Sequence, residues 1–408
     1  MPTPPRLQLA ASALLAVATP ARAQRAPDAP AADSGGRAAA PWHERVSLRG
    51  YIQVRYNRLA ESNPLLVCTQ CDRSIGPNGG IFIRRARVSI VAKVNRRTTL
   101  TFQPDFTAEA SETNGGIAQV RDAFAEVALD ARQHLRLRLG QTNTPFGFEN
   151  LLSSAKRVPF DRADALNSAA PTERDLGAFL FWSPGVARAR YLALAEGAGK
   201  APGDFGVVSV AVYNGQTANR PEQNGNLHAG ARLAYPFAIG GGQLLEGAVQ
   251  GYAGRFVVPA AQRTANTGRD EEFADQRAAV SLVLHPRPVG VQVEWTRGRG
   301  PEADPAARAI RTRALQGGYA QAMVQTRVRG QLVTPYARAQ RYDGGKKFET
   351  DARRHRVREI ELGAEWMLSP EVELTAAFLA GERETADLAN ANGPQKGRRV
   401  RVQAQFAF

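Results

Sequence analysis

The last ten residues constrain this chain most. Val400, Val402, Ala404, Phe406 and Phe408 fall on one face of an extended strand, and Arg399, Arg401, Gln403 and Gln405 on the other. One oily and one wet face, ending on a bare aromatic carboxy-terminus, is how a bacterial outer-membrane β-barrel closes its last strand. The beginning of the chain agrees. Arg6 precedes an apolar stretch from Leu7 to Ala18, followed by the small-residue pattern Ala21-Arg22-Ala23. Together these predict a secretory signal peptide over residues 1–23, cleaved before Gln24. A dozen or so apolar residues fall short of the roughly 20 that a spanning helix needs. Nothing downstream comes nearer, so membrane residence has to come from strands.

Composition alone leaves a soluble secreted β protein open. Mean hydropathy is -0.34 and hydrophobic residues make up 43% of the chain, which is compatible with a barrel because a porin-like strand gives only every second residue to lipid. Residues 24–45, rich in Ala and Pro, read as a disordered periplasmic lead-in. The rest, 46–408, reads as one barrel.

Sixteen alternating runs can be counted, at about 46–57, 81–94, 98–107, 119–129, 134–142, 176–183, 206–213, 227–235, 243–254, 274–284, 289–296, 313–325, 332–342, 355–368, 371–381 and 399–408. Connections alternate between short ones, such as 95–97, 130–133, 285–288 and 369–370, and long ones, such as 58–80, 143–175, 255–273, 297–312 and 382–398. Short turns at one end and long loops at the other are the expected periplasmic and extracellular asymmetry. The expected class is therefore all-β, a sixteen-stranded antiparallel transmembrane barrel with a constriction loop at 143–175. Segment 184–205 breaks the rule: Ala189 to Glu196 can be read as a strand, so it is taken as an insertion or strand extension, with eighteen strands as the alternative.

Strand faces follow from the cost of charge in lipid, roughly 2–4 kcal/mol per midplane Arg or Lys. Arg49, Gln53, Arg55 and Asn57 should turn inward opposite Leu48, Ile52, Val54 and Tyr56, and His134, Arg136 and Arg138 opposite Leu135, Leu137 and Leu139. Glu359, Glu361 and Glu365 alternate with Ile360, Leu362, Ala364 and Trp366, so the lumen is not uniformly cationic. Aromatic residues near run ends, Tyr56, Phe106, Trp182, Tyr213, Tyr235, Tyr252, Trp295, Tyr342 and Trp366, suggest interfacial girdles.

The pieces Gly50-Tyr51-Ile52-Gln53-Val54-Arg55-Tyr56, Phe82-Ile83-Arg84-Arg85-Ala86-Arg87-Val88, Val120-Arg121-Asp122-Ala123-Phe124, Gly140-Gln141 with Pro145-Phe146-Gly147, Glu173-Arg174-Asp175-Leu176-Gly177 and Val212-Tyr213-Asn214-Gly215 occur in this order. As an ordered set they resemble the phosphate-selective porins O and P, over roughly the first half of the mature chain. The resemblance implies a trimeric sixteen-stranded barrel whose third long loop folds into the pore, with an anion path lined by arginines and lysines. Arg84 and Arg85 match the family's paired arginines in the second strand; strict alternation would part them, so either the strand bulges or Arg84 sits at the rim. Arg87, Asp122, Arg136, Arg138, Lys156, Arg157, Arg162 and Arg174 complete the expected anion pathway. Where the family commonly has a lysine, between Gly140-Gln141 and Pro145-Phe146-Gly147, this chain has Thr142-Asn143-Thr144.

Arginine suits such a path because its planar fork stays charged and replaces the water an anion sheds. The chain holds 47 Arg against 6 Lys, with a formal net charge of +15, a basic field that favours anions without choosing one. Coding composition and general solvation offer a plainer account of the arginines. Expected partners are inorganic phosphate or other small anions and outer-membrane lipid, in a homotrimer, with no cofactor, metal or nucleic acid. The export signal argues against a nucleic-acid binder. No phosphate loop, zinc-protease helix or nucleophile elbow appears, and the five histidines are scattered. The rival reading is another outer-membrane barrel, enzymatic or receptor-like. Cys68 and Cys71, the only cysteines, are expected to form a local disulfide in the first long loop, ahead of a redox or metal role or free thiols.

Overall fold

A computed structural model describes residues 41–57, 62–63, 65–66, 80–111, 114–169, 174–196, 200–264 and 271–408. Residues 1–40, with the expected signal peptide and most of the lead-in, and the Cys68–Cys71 pair lie outside the described residues.

Sixteen antiparallel strands close on themselves. They are β1 (Val46–Asn57), β2 (Gly80–Lys93), β3 (Thr98–Ser111), β4 (Asn114–Ala128), β5 (Leu135–Asn143), β6 (Arg174–Trp182), β7 (Val208–Tyr213), β8 (His228–Gly240), β9 (Gln243–Val258), β10 (Glu271–Leu284), β11 (Val289–Asp304), β12 (Ala309–Val324), β13 (Gln331–Gly345), β14 (Arg354–Met367), β15 (Val372–Ala386) and β16 (Ala391–Ala407). A short piece, Thr326–Val328, continues β12 past Gln325 and pairs with the same neighbour, so the two count as one strand. The seam joins β1 to β16 from Tyr51 opposite Ala407 to Tyr56 opposite Val402. Phe408 extends it through backbone bonds to Gly50. A side chain at Gly50 would stand 2.4 Å from the Phe408 ring, so the terminal aromatic is accommodated by a residue without one. Closure leaves no open sheet edge.

Each of the sixteen expected runs is a strand. Several continue beyond the alternation at the loop end, so 297–312 and 382–398 are mostly hairpin, not long loops: β11 and β12 run to a turn at 305–308, and β15 and β16 to one at 387–390. Ladder bonds hold these polar extensions in place without an apolar face. Segment 184–205 carries a helix, α3 (Gly185–Glu196), so the insertion reading holds and the added strands do not. Ala187 and Tyr191, one helical turn apart, bury against Val207 and Tyr235, and Arg188, Ala189 and Arg190 between them are strong helix formers.

Alternation sends Ile52, Leu139, Val210, Val280, Ile360, Leu362, Trp295 and Trp366 outward, exposed on the barrel surface. Tyr213, Tyr252 and Tyr342, expected in the girdles, instead point inward and are buried. They have something to pack on. The segment between β5 and β6 enters the barrel with two helical turns, α1 (Phe148–Leu151) and α2 (Asp164–Asn167). Phe146 and Leu166 join Phe179, Tyr213, Tyr252 and Tyr319, and Val158 and Phe160 join Met323, Tyr336 and Leu379. The apolar clusters inside the barrel at this level are thus made with its own inserted loop.

Candidate functional site

Two bulges prepare the inner wall. Between β1 and β2, Gln53 pairs with Arg85 but Val54 pairs with Ile83, leaving Arg84 as the extra residue. A bulge shifts the side-chain parity, so Arg84 and Arg85 both face inward, each 8% exposed. The rim alternative for Arg84 falls. Between β3 and β4 the register slips in the same way, Gln103 facing Asp122 and Pro104 facing Val120. Proline cannot donate a ladder bond, and the slip turns both Arg121 and Asp122 inward.

Beside the first bulge the loop brings down Asp161. Its carboxylate meets Arg55 of β1 at 3.0 Å, Arg84 of β2 at 3.3 Å and Arg401 of β16 at 3.2 Å. Burial raises the Asp161 pKa, but the surrounding guanidiniums overcome it and hold the carboxyl far below its ordinary range. Three cations thus share one anion. Arg85 adds a fourth: among the described residues it has no ion pair, and it donates to Gln53 at 2.7 Å. Arg84, Arg87 and Arg157 lie close enough to repel it. Arg87 is tied to Asp105 at 2.8 Å and donates to Tyr51 and Ser154. On Arg401, Nε and Nη2 are buried and meet no acceptor among the described residues.

The remaining expected pathway residues are placed differently. Arg174 grips both oxygens of Asp122, at 3.1 and 3.0 Å. Arg138 pairs with Glu126 at 2.7 Å and Arg136 with Asp204 at 2.7 Å. Arg162 donates to Asn150 and Asn167 within the loop. Lys156 reaches the carbonyl of Ala195 on α3, near the turn end. The structure therefore gathers Arg84, Arg85, Arg87 and Arg157, neutralises Arg136, Arg138 and Arg174 with carboxylates, and sets Lys156 and Arg162 apart. Asn143, where the family commonly has lysine, donates to the carbonyl of Asn150 at 2.9 Å and helps seat the loop.

Sequence reasoning left Arg55, Arg401 and Arg121 out of the site. Parity had turned the first two inward, but only the seam brings β1 and β16 side by side. Arg121 depended on the bulge in β4 opposite Pro104. Arg399, at the loop end of the last strand, is 1% exposed and buried toward the carbonyl of Leu66.

Across the lumen, charges match. Arg338 of β13 donates to both oxygens of Glu149 at 2.7 and 3.0 Å. Asp164 takes Lys346 and Arg383, Asp275 takes Lys347, Arg277 and His228, and Arg232 takes Glu246. His285 and His355 likewise face Glu246 and Glu349. These histidines read as wall contacts, and among the described residues no group of three His, Cys, Asp or Glu is placed to hold a metal.

Solved outer-membrane proteins share the architecture. OmpT of Vibrio cholerae is 11% identical with a TM-score of 0.52, covering 89% of this chain and 97% of that one. The outer-membrane channel DcaP of Acinetobacter baumannii is 14% identical at 0.53, over 89% and 97%. An anion-selective porin from Comamonas acidovorans is 11% identical at 0.52, over 89% and 99%. At these identities the likeness is one of fold. No curated protein matches the chain. The family model for phosphate-selective porin O and P matches residues 69–408, extending through the second half, where only strand alternation had been legible. With its closed sixteen-stranded barrel and inserted loop, the chain belongs to the phosphate-selective porin O and P family and is a porin of the bacterial outer membrane.

Proposed function

We propose that the protein is a passive channel for small anions, with inorganic phosphate, pyrophosphate and polyphosphate its foremost solutes. In this reading the chain is exported with loss of residues 1–23, assembles as a homotrimer and turns its long connections outward. The observation that carries the proposal is the gathering of guanidiniums beside the inserted loop: Arg55, Arg84 and Arg401 converge on the carboxylate of Asp161, and Arg85, which has no ion pair among the described residues, lies next to them. Guanidinium donors in a narrow, partly dehydrated passage can replace the water around an oxyanion. Conduction also requires that the anion leave, and Asp161 keeps the cluster from holding it permanently.

The test is single-channel recording of purified protein in chloride, with phosphate or pyrophosphate then added to one side. The expected result is an open channel whose chloride current is reduced by either anion at lower concentration than by sulfate. A conducting channel blocked equally by all three would remove the phosphate preference. A sealed barrel would remove the channel.

A further inference from the structure

The outer face of the barrel carries a basic row just beyond the apolar band at the loop end. Arg341 of β13 stands directly opposite Arg358 of β14, Arg358 opposite Glu382 of β15, and Glu382 opposite Lys396 of β16. One row nearer the band, Ile360, Ala380 and Arg398 stand in register. All four basic residues are exposed. The one carboxylate of the row pairs with Lys396 at 3.3 Å. Among the described residues, none pairs with Arg341, Arg358 or Arg398.

Like charges directly across a ladder destabilise it, so the Arg341–Arg358 pair costs the fold something that an external anion would offset. The surface between these residues is also concave. Ala380 offers only a methyl group, and beside it lies a depression of ≈ 540 Å³ bordered by Arg358, Ile360, Glu382, Lys396 and Arg398, with Ser62 and Glu359 also on its lining. Ile360, 57% exposed, forms its apolar side, and Leu362 and Phe378 continue the apolar surface below.

We propose that this cleft holds the phosphorylated headgroup of an anionic lipid in the leaflet at the loop end. Two guanidinium forks and an ammonium suit a phosphomonoester, and the strip beneath suits an acyl chain. Basic pockets on membrane proteins recognise headgroups in this way. A free anion would gain nothing from the apolar side, so the occupant is the lipid. The inference rests on the membrane location and not on anion conduction, because these side chains point away from the lumen.

Native mass spectrometry of the purified full-length protein tests it, using diphosphoryl lipid A, its phosphate-free analogue and inorganic phosphate as probes. The wild type should retain diphosphoryl lipid A at least about tenfold better than the phosphate-free lipid, as expected for charge-assisted bonds, and millimolar inorganic phosphate should not displace it. The triple variant Arg341→Ser, Arg358→Ser, Arg398→Ser should lose that retention while its conductance stays that of the wild type. Arg358→Glu alone should do the same, which keeps the test readable if the triple variant fails to refold. Equal retention of the two lipids, unchanged retention in the variants, or displacement by inorganic phosphate would overturn the proposal.

Discussion

The two sides of the lumen use the same residue types to different ends. On the wall formed by β10 to β15, Arg338 meets Glu149, Asp164 takes Lys346 and Arg383, and Asp275 takes Lys347 and Arg277. The pairs on Glu149 and Asp164 fasten the loop, and the Asp275–Lys347 pair ties β10 to the segment after β13. On the wall formed by β16, β1 and β2, Arg55, Arg84 and Arg401 meet Asp161, while Arg85 among the described residues meets an amide oxygen and no carboxylate. On the proposed reading the matched pairs anchor and the guanidinium-rich wall selects, so substitutions on the two sides should be felt in different measurements.

Arg338→Ala should have the largest effect, and on stability. It strands Glu149, 1% exposed, and breaking a buried pair by removing one partner costs about 3–5 kcal/mol. Heat-induced loss of the folded band on unboiled gels should come at lower temperature. Replacing both partners, Arg338→Met with Glu149→Met, should restore most of the loss, because no charge is then left buried. If the single variant melts like the wild type, the far wall is not an anchor.

Asp161→Asn probes the other side with the opposite sign. Removing this carboxylate takes a negative charge from among Arg55, Arg84 and Arg401, so anion preference in a salt gradient should rise. Acid should reproduce this only late. The folded pKa of Asp161 is lowered, so its charge, and the stability it contributes, are fully present above the unfolded value of about 3.9. Both are lost only as pH falls below that value and through the folded pKa. Selectivity rising between pH 7 and pH 5 would therefore implicate a different group.

The smallest effect is expected from tags placed to mark the two ends. Epitopes inserted at Asn114 and Asn392, both beside loop-end hairpins, should be reachable on intact cells with little change in current. Labelling at Gly290 or Pro370 instead would invert the barrel.

The fold was legible because lipid enforces a period of two. Runs as short as 206–213 were readable wherever Val208, Val210 and Val212 alternate with polar or small residues. Legibility failed where lipid no longer acts. Beyond the membrane, β11, β12, β15 and β16 continue as polar hairpins with no apolar face to betray them. Ala189 to Glu196 alternates too briefly to separate strand from helix, and burial of Ala187 and Tyr191 decides for the helix. Within the site, parity turned Arg55, Arg136 and Arg138 inward correctly. Which of them would find a carboxylate depended on the path of the loop, and the partner of Arg55 is 106 residues away. The bulge that brings Arg84 and Arg85 to one face was one of two readings of their adjacency, whereas Arg121, the extra residue of a bulge in β4, went unnoticed because the slip falls opposite Pro104 of the neighbouring strand.

The reversal potential across a potassium chloride gradient tests the central claim most directly. It should be measured for the wild type, for Arg85→Ala and for Arg232→Gln combined with Glu246→Gln, which removes a matched pair. At a dielectric typical of a protein surface one unit charge acts with about 4 kcal/mol at 4 Å, and a net difference of even about 1 kcal/mol changes a permeability ratio about fivefold. The account predicts an anion-selective wild type, a several-fold loss of preference in Arg85→Ala, and no change in the charge-neutral double variant. A cation-selective wild type, or equal shifts in the two variants, would contradict a selectivity set by surplus charge on the β16, β1 and β2 wall.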